Sequence, residues 1–421
     1  MPERFFFNLF LRNTCHQCAG YFNDEFWQLL MPQASEIQPA VRHAVIGIGA
    51  LHWRFESRTI SHSADVSLDR SFHLRQCSKA IACLQQDLLA KAQPDIAHME
   101  NVLITCVALI VLALFQTNVH AAQSHGIGFK LLKQCQEQSD FCNSSTGSIL
   151  IRKFIQLKLH WLACTNPETF VTSNQSTPQQ LQNTGIRNRS HTSYKMQPSQ
   201  NEDGKLGLQP TERSLDSEKA AILSNFWALQ GQQKQIPTAY DATSRRDYIT
   251  QTLLEIWNQV IYIKAASEAV HNNYEMAYDG LLDHFRQAVW LTKALLASDS
   301  ANSEPLMPTF SVRAGIIQPL FFCGFKCRDW TVRREALGLL HARQRQEGIW
   351  RTHEAALVLE RLIDIESEGV LVEGMVPESF RVNSVRIEVI DDSNVRFWYR
   401  RNHAHQDKDC NDLWHTELLS H

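Results

Sequence analysis

Cysteine spacing is the first place where this sequence could support chemistry. Cys15 and Cys18 form a C-x2-C pair, the spacing at which two thiolates bind one zinc ion in structural sites. Such a site needs four ligands, and the next cysteines, Cys77 and Cys83, are distant and lie in an ordinary helical pattern. We therefore expect Cys15 and Cys18 to pack in a helix or turn rather than to bind a metal.

Two segments approach the pattern of a phosphate-binding loop, in which glycines cluster backbone amides at the start of a helix. The first, Gly47-Ile48-Gly49, has His52 where the third glycine of a dinucleotide-binding fingerprint belongs, and its periodicity places it within a helix. The second, Gly126-Ile127-Gly128, lacks the Gly-Lys-Ser/Thr that completes a P-loop. Both patterns favour close packing of helices over nucleotide binding.

Acidic and histidine groups give no stronger sign of a site. The pair Asp391-Asp392 invites comparison with the magnesium sites of terpenoid synthases, but it falls in a predicted turn without a second acidic set. Four residues near the end of the chain could act as ligands of a soft metal ion, but a solvated tail is the better interpretation of this segment. This soft-metal set is His403, His405, Cys410 and His415. We assign no catalytic, cofactor-binding or metal-binding residue and do not predict an enzyme.

The segment from residue 319 to residue 350 holds basic residues that could face DNA from one helix. Asp329 and Glu335 are interleaved with them, and the same helix has an apolar face that must be buried. These features favour internal ion pairs and a solvated face over a DNA-binding surface. The basic residues are Arg328, Arg333, Arg334, Arg343 and Arg345.

Helical periodicity recurs along the chain and glycine is sparse, so the sequence predicts an all-α fold, a multi-helix bundle or stacked helix pairs. Asn23 or Asp24 is placed to cap the first helix, which Met31-Pro32 is expected to stop. Asp329 is placed to cap a late helix. The helices predicted in the first half are 22–30, 38–56, 68–90, 99–116, 119–138 and 147–164. Those predicted in the second half are 217–230, 247–271, 277–298, 312–325, 329–345 and 350–366.

A small C-terminal β-hairpin is the exception to the helical rule. Val385, Ile387 and Val389 alternate with polar residues, a turn follows, and the alternation resumes to Tyr399. We assign 1–400 to one helical regulatory domain. It is interrupted by a polar segment, 165–217, that is too poor in apolar residues to offset its ordering entropy. Residues 401–421 form a polar tail.

The composition limits the classes of protein to consider. With 44% apolar residues the chain can bury a large core, and a net charge of −3 gives no general attraction to nucleic acid. The eleven scattered cysteines indicate a reducing compartment. The apolar run from Val102 to Phe115 is shorter than the ~18 to 20 residues that cross a bilayer, so it predicts a helix buried on all sides.

Several segments of the chain match, in order, the pattern of one known family. The two longest are the FNDEFW and QPAVRHAVIGIGALH stretch between residues 22 and 52 and the KCRDWTVRREALGLL block from residue 326 to residue 340. Shorter ones are FFF…LRNT from residue 5, QEGIW from residue 346 and VPESFRV from residue 376. Through these segments the chain resembles the regulatory middle region of fungal-specific zinc-cluster transcription factors. The family's N-terminal block of six zinc-binding cysteines has no counterpart here.

The resemblance implies a nuclear transcriptional regulator of metabolic or secondary-metabolite genes that reaches DNA only indirectly. Its expected partners are a full-length zinc-cluster transcription factor or coregulators, in a homo- or heterodimer. A related interpretation is that the cysteine block is encoded just upstream of a mis-assigned start. The alternative class is a helical binding protein or enzyme for an apolar metabolite, because the many aromatic residues of the predicted helices could line a cavity between them. An exposed apolar helix face would favour the first interpretation, and a deep cavity with converging polar groups the second.

Overall fold

The structure is a computed structural model, and its described residues are 2–20, 24–60, 71–90, 95–164, 242–268, 274–300, 309–368, 375–391, 393–401 and 414–420. The predicted helix 217–230, the polar segment 165–217 and three members of the proposed soft-metal set (His403, His405 and Cys410) lie outside them.

The N-terminal region has one helical stretch before Gly20, which the sequence did not predict, and another after Asp24, where a helix over 22–30 was predicted. Helix α1 (Pro2–Leu9) runs through a π-helical segment, Phe10–Thr14, into α2 (Cys15–Ala19). A second π-helical segment, Phe26–Leu30, continues into α3 (Met31–Ile37). The prediction that Pro32 stops this helix is wrong, because proline lies in the first turn of α3, where no backbone N–H is needed.

Helices α4 (Pro39–Ile60) and α5 (Phe72–Ala90) pack along each other, and α4 also contacts α1 and α6 (Ile96–Phe115). Glycines in α4 permit these approaches. A Cβ at Gly47 would contact the side chain of Leu112 at 3.1 Å, and one at Gly49 would overlap the carbonyl oxygen of Phe6. The predicted role of this glycine pair in close helix packing is confirmed.

Helix α6 begins after Asp95, whose side chain accepts a hydrogen bond from the backbone N–H of His98 at 2.7 Å. Every residue from Val102 to Phe115 is buried, which confirms the predicted buried helix. The complete helix has 20 residues, however, and is therefore long and apolar enough to cross a membrane by length and composition alone. Of its most apolar window, 89% is buried within the protein, as expected of a core helix.

Four further helices follow among the described residues before 165: α7 (Val119–Ser124), α8 (Ile127–Cys135), α9 (Ser139–Asn143) and α10 (Ser145–Cys164). The single helix predicted over 119–138 is therefore divided at His125-Gly126. Gly128 lies close to the side chains of Cys106 and Phe154. Gly128 therefore permits close helix packing, as predicted for this segment.

The second half begins with α11 (Ala242–Glu268), a short α12 (Tyr274–Ala277), a 3-10 turn and α13 (Leu282–Ser300). Helices α11 and α13 are antiparallel. Arg245 reaches Asp299 at 3.7 Å, and His284 Nδ1 lies 2.7 Å from Gln259 Oε1.

Helices α14 (Ile317–Lys326), α15 (Trp330–His341) and α16 (Thr352–Ser367) pack against one another. Asp329 caps α15 as predicted, because its side chain accepts a hydrogen bond from Val332 N at 3.0 Å. An unpredicted three-stranded sheet of very short strands packs nearby. Its strands are β1 (Phe310–Ser311), β2 (Gln346–Glu347) and β3 (Trp350–Arg351). Strand β3 packs against α14 and α16, and β1 packs against α2.

The predicted C-terminal hairpin is confirmed by β4 (Val382–Val389) and β5 (Asn394–Arg401), which pair antiparallel. A third strand, β6 (His415–Ser420), pairs with β5, so the end of the predicted polar tail belongs to this sheet. Val385, Phe397 and Tyr399 face the same apolar core as the helices. The fold is mostly helical, as predicted, with two small sheets.

Candidate functional site

Arg328 and Arg333, which the sequence placed on a possible DNA-facing helix, are fully buried. Arg328 pairs with Glu275 at 2.9 Å and with Glu366 at 3.0 Å, and it donates a further hydrogen bond to the carbonyl of Val382. Arg333 pairs with Glu366 at 2.6 Å. Burial lowers the pKa of Arg333, and the carboxylate of Glu366 opposes that shift. These two arginines therefore serve internal ion pairs and do not face a nucleic acid.

The same cluster continues toward the C-terminal sheet. Lys326 donates to Glu275 at 2.5 Å and to the carbonyl of Asn383, and Arg381 pairs with Asp279 at 2.8 Å. We call the set Glu275, Asp279, Lys326, Arg328, Arg333, Glu366 and Arg381 the buried charge cluster. It joins α12, α14, α15, α16 and the start of β4.

The remaining arginines of the predicted basic group divide between core and surface. Arg345 is 1% exposed, and both it and Arg343 lie near the buried carboxylate of Asp299, at 3.8 and 3.1 Å. Arg334 is exposed and lies over the ring of Trp330. The prediction of internal ion pairs is confirmed, but the partners are distant carboxylates. The neighbouring Glu335 pairs instead with Lys293 at 2.7 Å.

Cys15 and Cys18 lie in α2, and both are buried, in agreement with the predicted packing. The Cys15 thiol donates to the carbonyl of Leu11 at 3.2 Å. Burial raises the pKa of both thiols, that of Cys18 far above its usual range, so neither is a thiolate at neutral pH. Within the described part of the chain, no three His, Cys, Asp or Glu side chains converge as metal ligands.

Asp391 lies in the hairpin turn, as predicted, and accepts hydrogen bonds from Ser393 N and from the side-chain amide of Asn394. His415, the one described member of the proposed soft-metal set, is on β6 and stacks on Tyr399 with ring centroids 4.9 Å apart. Asp391 therefore has the contacts of a residue that forms a turn, and His415 has those of a ring packed against its neighbour.

The structure assembles one hydroxyl–imidazole–carboxylate chain that the sequence did not indicate. Thr14 Oγ1 is 2.9 Å from His52 Nδ1, and His52 Nε2 is 3.2 Å from Glu56 Oε1. Such a chain resembles that of a serine hydrolase, but Thr14 and His52 are fully buried and the His52 ring stacks on Phe310. The hydroxyl cannot meet a substrate, so this chain of contacts joins the first π-helical segment, Phe10–Thr14, to α4 and β1. The i, i+4 spacing of His52 and Glu56 was its only sequence signal.

A second buried ion group connects the N-terminal region to the rest of the fold. Asp24 pairs with Lys153 of α10 and with Arg313, the latter at 2.8 Å. Burial lowers the pKa of Lys153 to about 8, although Asp24 favours its charged form. The pKa of Asp24 is lowered, because burial, which would raise it, is outweighed by the two cations.

Glu347 of β2 occupies the N-terminus of α14. Its carboxylate accepts backbone hydrogen bonds from Gly315, Ile316 and Ile317 at 3.0 to 3.1 Å. Helix N-termini bind anions through such amides, and here the protein supplies its own carboxylate. Burial raises the pKa of Glu347, while the amide hydrogen bonds lower it.

The strongest candidate for a functional surface is a set of exposed apolar residues on the α11–α13 pair. Trp290 on α13 is 63% exposed, and Leu254 and Ile261, one heptad apart on α11, are each about half exposed. We call these three residues the α11–α13 face. Two ion pairs flank Trp290 along α13: Arg286 with Asp329 at 3.7 Å and Lys293 with Glu335 at 2.7 Å.

Comparison of the chain with protein-family models, with curated proteins and with solved structures finds no match. The resemblance to zinc-cluster regulators therefore stays a prediction.

Proposed function

We propose that this chain is a transcriptional regulator that acts through protein contacts and takes its DNA contact from a partner. The proposal combines the resemblance to zinc-cluster regulators with one structural observation, the exposed apolar α11–α13 face. Aromatic anchors near the centre of a protein interface contribute much of its binding energy, and charged residues belong to the polar rim around them.

Two features of the charged residues agree with this proposal. Three of the five arginines that could have formed a basic face are buried among carboxylates, and the net charge of the chain is −3. Phosphate contacts from many surface cations supply most of the affinity of a DNA-binding domain. The proposed partner, a full-length zinc-cluster transcription factor, would supply these contacts. Coregulators are the second class of partner.

The partner is tested by tagged pull-down from nuclear extract, with chromatin immunoprecipitation in parallel. Both are done in strains with and without a full-length zinc-cluster relative. We expect recovery of that relative and promoter occupancy that disappears when it is deleted. A chain that stays cytosolic and off chromatin would contradict the proposal. It would redirect attention to an apolar metabolite, for which a thermal-shift screen with sterols and other apolar compounds is the next measurement.

The surface is tested by Trp290→Ser, with Leu89→Ser as the matched control. Leu89 is 87% exposed on α5 and lies outside the α11–α13 face. Loss of a central aromatic anchor costs ~2 kcal/mol or more, about thirtyfold in affinity, so Trp290→Ser should abolish recovery of the partner. If both variants recover the partner equally, the α11–α13 face is not the contact surface.

A further inference from the structure

The three strands β4, β5 and β6 have one face on the core and one face turned outward. Side chains alternate between the two faces of a strand, so the neighbours of the buried Val395, Phe397 and Tyr399 project outward. The outward residues include three arginines and two tryptophans. We call this set the outer sheet face: Arg386, Arg396, Trp398, Arg400 and Trp414.

Each arginine of the outer sheet face lies over an indole ring. The guanidinium carbon of Arg386 is 4.1 Å from the centre of the Trp414 ring, and that of Arg400 is 5.5 Å from the same ring. Arg396 lies 5.8 Å from the ring centre of Trp398. Stacking on an aromatic ring holds a guanidinium flat and leaves its N–H edge available to a carboxylate.

One described carboxylate, that of Glu388, lies among the arginines of this face. Arg396 pairs with Glu388 at 2.9 Å, and Arg400 hydrogen-bonds to Asn383 and Ser384 at 3.3 Å. Arg386 has no carboxylate within ion-pair distance in the described ranges. Burial lowers its pKa, and the neighbouring charge of Arg400 lowers it further, as expected for a cation that lacks an anion. The chain as a whole is acidic, so this face is a local positive patch.

We propose that the outer sheet face binds an extended, acidic segment of a partner protein, with Arg386 and Arg396 as its anchoring cations. The register supports an extended ligand. Arg386 is opposite Trp398, and Arg396 is two residues from Trp398 along β5. The two arginines are therefore offset by about 7 Å along the strands, the distance between alternate residues of an extended chain. Carboxylates at alternate positions of an extended ligand would match Arg386 and Arg396.

A single-stranded nucleic acid fits this face less well. Such ligands bind by stacking bases on open aromatic rings, and Trp398 is only 7% exposed. The Trp414 ring has a guanidinium close to it from each of two strands. Carboxylates need only the outer edges of the arginines, which the stacking leaves accessible.

The test is fluorescence anisotropy with the full chain and a labelled Glu-Thr-Glu-Thr-Glu peptide. We expect binding that weakens with added salt and is at least about fivefold weaker for Arg386→Gln and for Arg396→Gln, since each removes one charge-assisted contact. The matched control is Arg152→Gln, which removes an exposed arginine from α10 and should bind like the wild type. A Glu-Glu-Glu-Thr-Thr peptide should bind more weakly, because its acids do not alternate along an extended chain.

Three results would overturn this inference. They are equal binding by Arg386→Gln and the wild type, tighter binding of a single-stranded oligonucleotide of equal charge, and binding only after Asp407→Asn and Asp409→Asn. The last result would make the chain's own acidic segment between β5 and β6 the occupant. Because the probe is a free peptide, the test is independent of the proposed regulatory function, whose own test depends on Trp290.

Discussion

Replacement of Glu366 by glutamine probes the buried charge cluster with a minimal change of shape. Glu366 is 0% exposed, and one carboxylate oxygen pairs with Arg333 at 2.6 Å. The other accepts the backbone N–H of Val382 at 2.6 Å and pairs with Arg328. Glutamine keeps an acceptor for Val382. Arg328 retains Glu275, whereas Arg333 loses its only carboxylate partner in the cluster.

The expected cost follows from that difference. Removal of one partner from a buried ion pair destabilises a protein by about 3–5 kcal/mol, because an uncompensated charge stays in the interior. The matched surface variant is Glu335→Gln, which breaks an ion pair whose lysine is mostly exposed. It should cost less than about 1 kcal/mol.

Urea unfolding followed by tryptophan fluorescence measures both variants. We expect the midpoint for Glu366→Gln to fall by on the order of 1 M or more, and the midpoint for Glu335→Gln to stay close to that of the wild type. Arg333→Met added to Glu366→Gln removes the unpaired cation and should restore part of the stability. The reasoning is refuted if the two single variants cost the same, or if the double variant is no more stable than Glu366→Gln.

Three further predictions concern stability and reactivity. Gly315→Ala should lower the free energy of unfolding by about 2 kcal/mol, because the added Cβ would overlap the carboxylate of Glu347. Gly338→Ala should raise the free energy of unfolding by up to about 1 kcal/mol, because the added Cβ meets nothing within 4 Å. Urea midpoints that move in the same direction for both glycines would contradict this. The pKa of Lys153 is lowered to about 8, so the folded state binds fewer protons than the unfolded state between pH 8 and pH 10.5. The free energy of unfolding should therefore rise with pH across that interval. Lys153→Met should lack this rise, and an equal pH dependence in the two proteins would contradict the prediction. Native-state alkylation read by mass spectrometry should modify the exposed Cys142 long before Cys106, whose pKa burial raises to about 12; early labelling of Cys106 would show that α6 opens readily.

Local signals explain what the sequence predicted correctly. Most helices have an apolar face of 3.6-residue period, and the cap at Asp329 depends on a contact three residues away. The hairpin was predictable because its two strands and its turn are contiguous. Two errors also concern local structure: the division of the predicted helix 119–138 and the helix that continues through Pro32. Periodicity shows that a segment is helical, but it does not show whether a residue lies inside a helix or in the first turn of a new one.

Long-range partners explain what the sequence did not predict. Strands β1, β2 and β3 have two residues each, so no alternation marks them, and they exist through pairing with one another. The arginines of the late segment were recognised as ion-pair formers, but their partners Glu275 and Glu366 are 53 and 38 residues away. The α11–α13 face was not predicted either, because an amphipathic pattern does not show which apolar residues stay uncovered.

The pairing of Asp24 with Arg313 has a consequence for synthesis of the chain. The two residues are 289 positions apart. At about 5–20 residues per second, a ribosome needs roughly 15–60 s to add Arg313 after Asp24. During that interval the N-terminal helices cannot complete their ion group, even after Lys153 has emerged. The ring of Phe310, which stacks on His52 of α4 and on Phe115 at the end of α6, is likewise added only late in this interval. These contacts between the N-terminal helices and the rest of the fold therefore form only when the last third of the protein is being made.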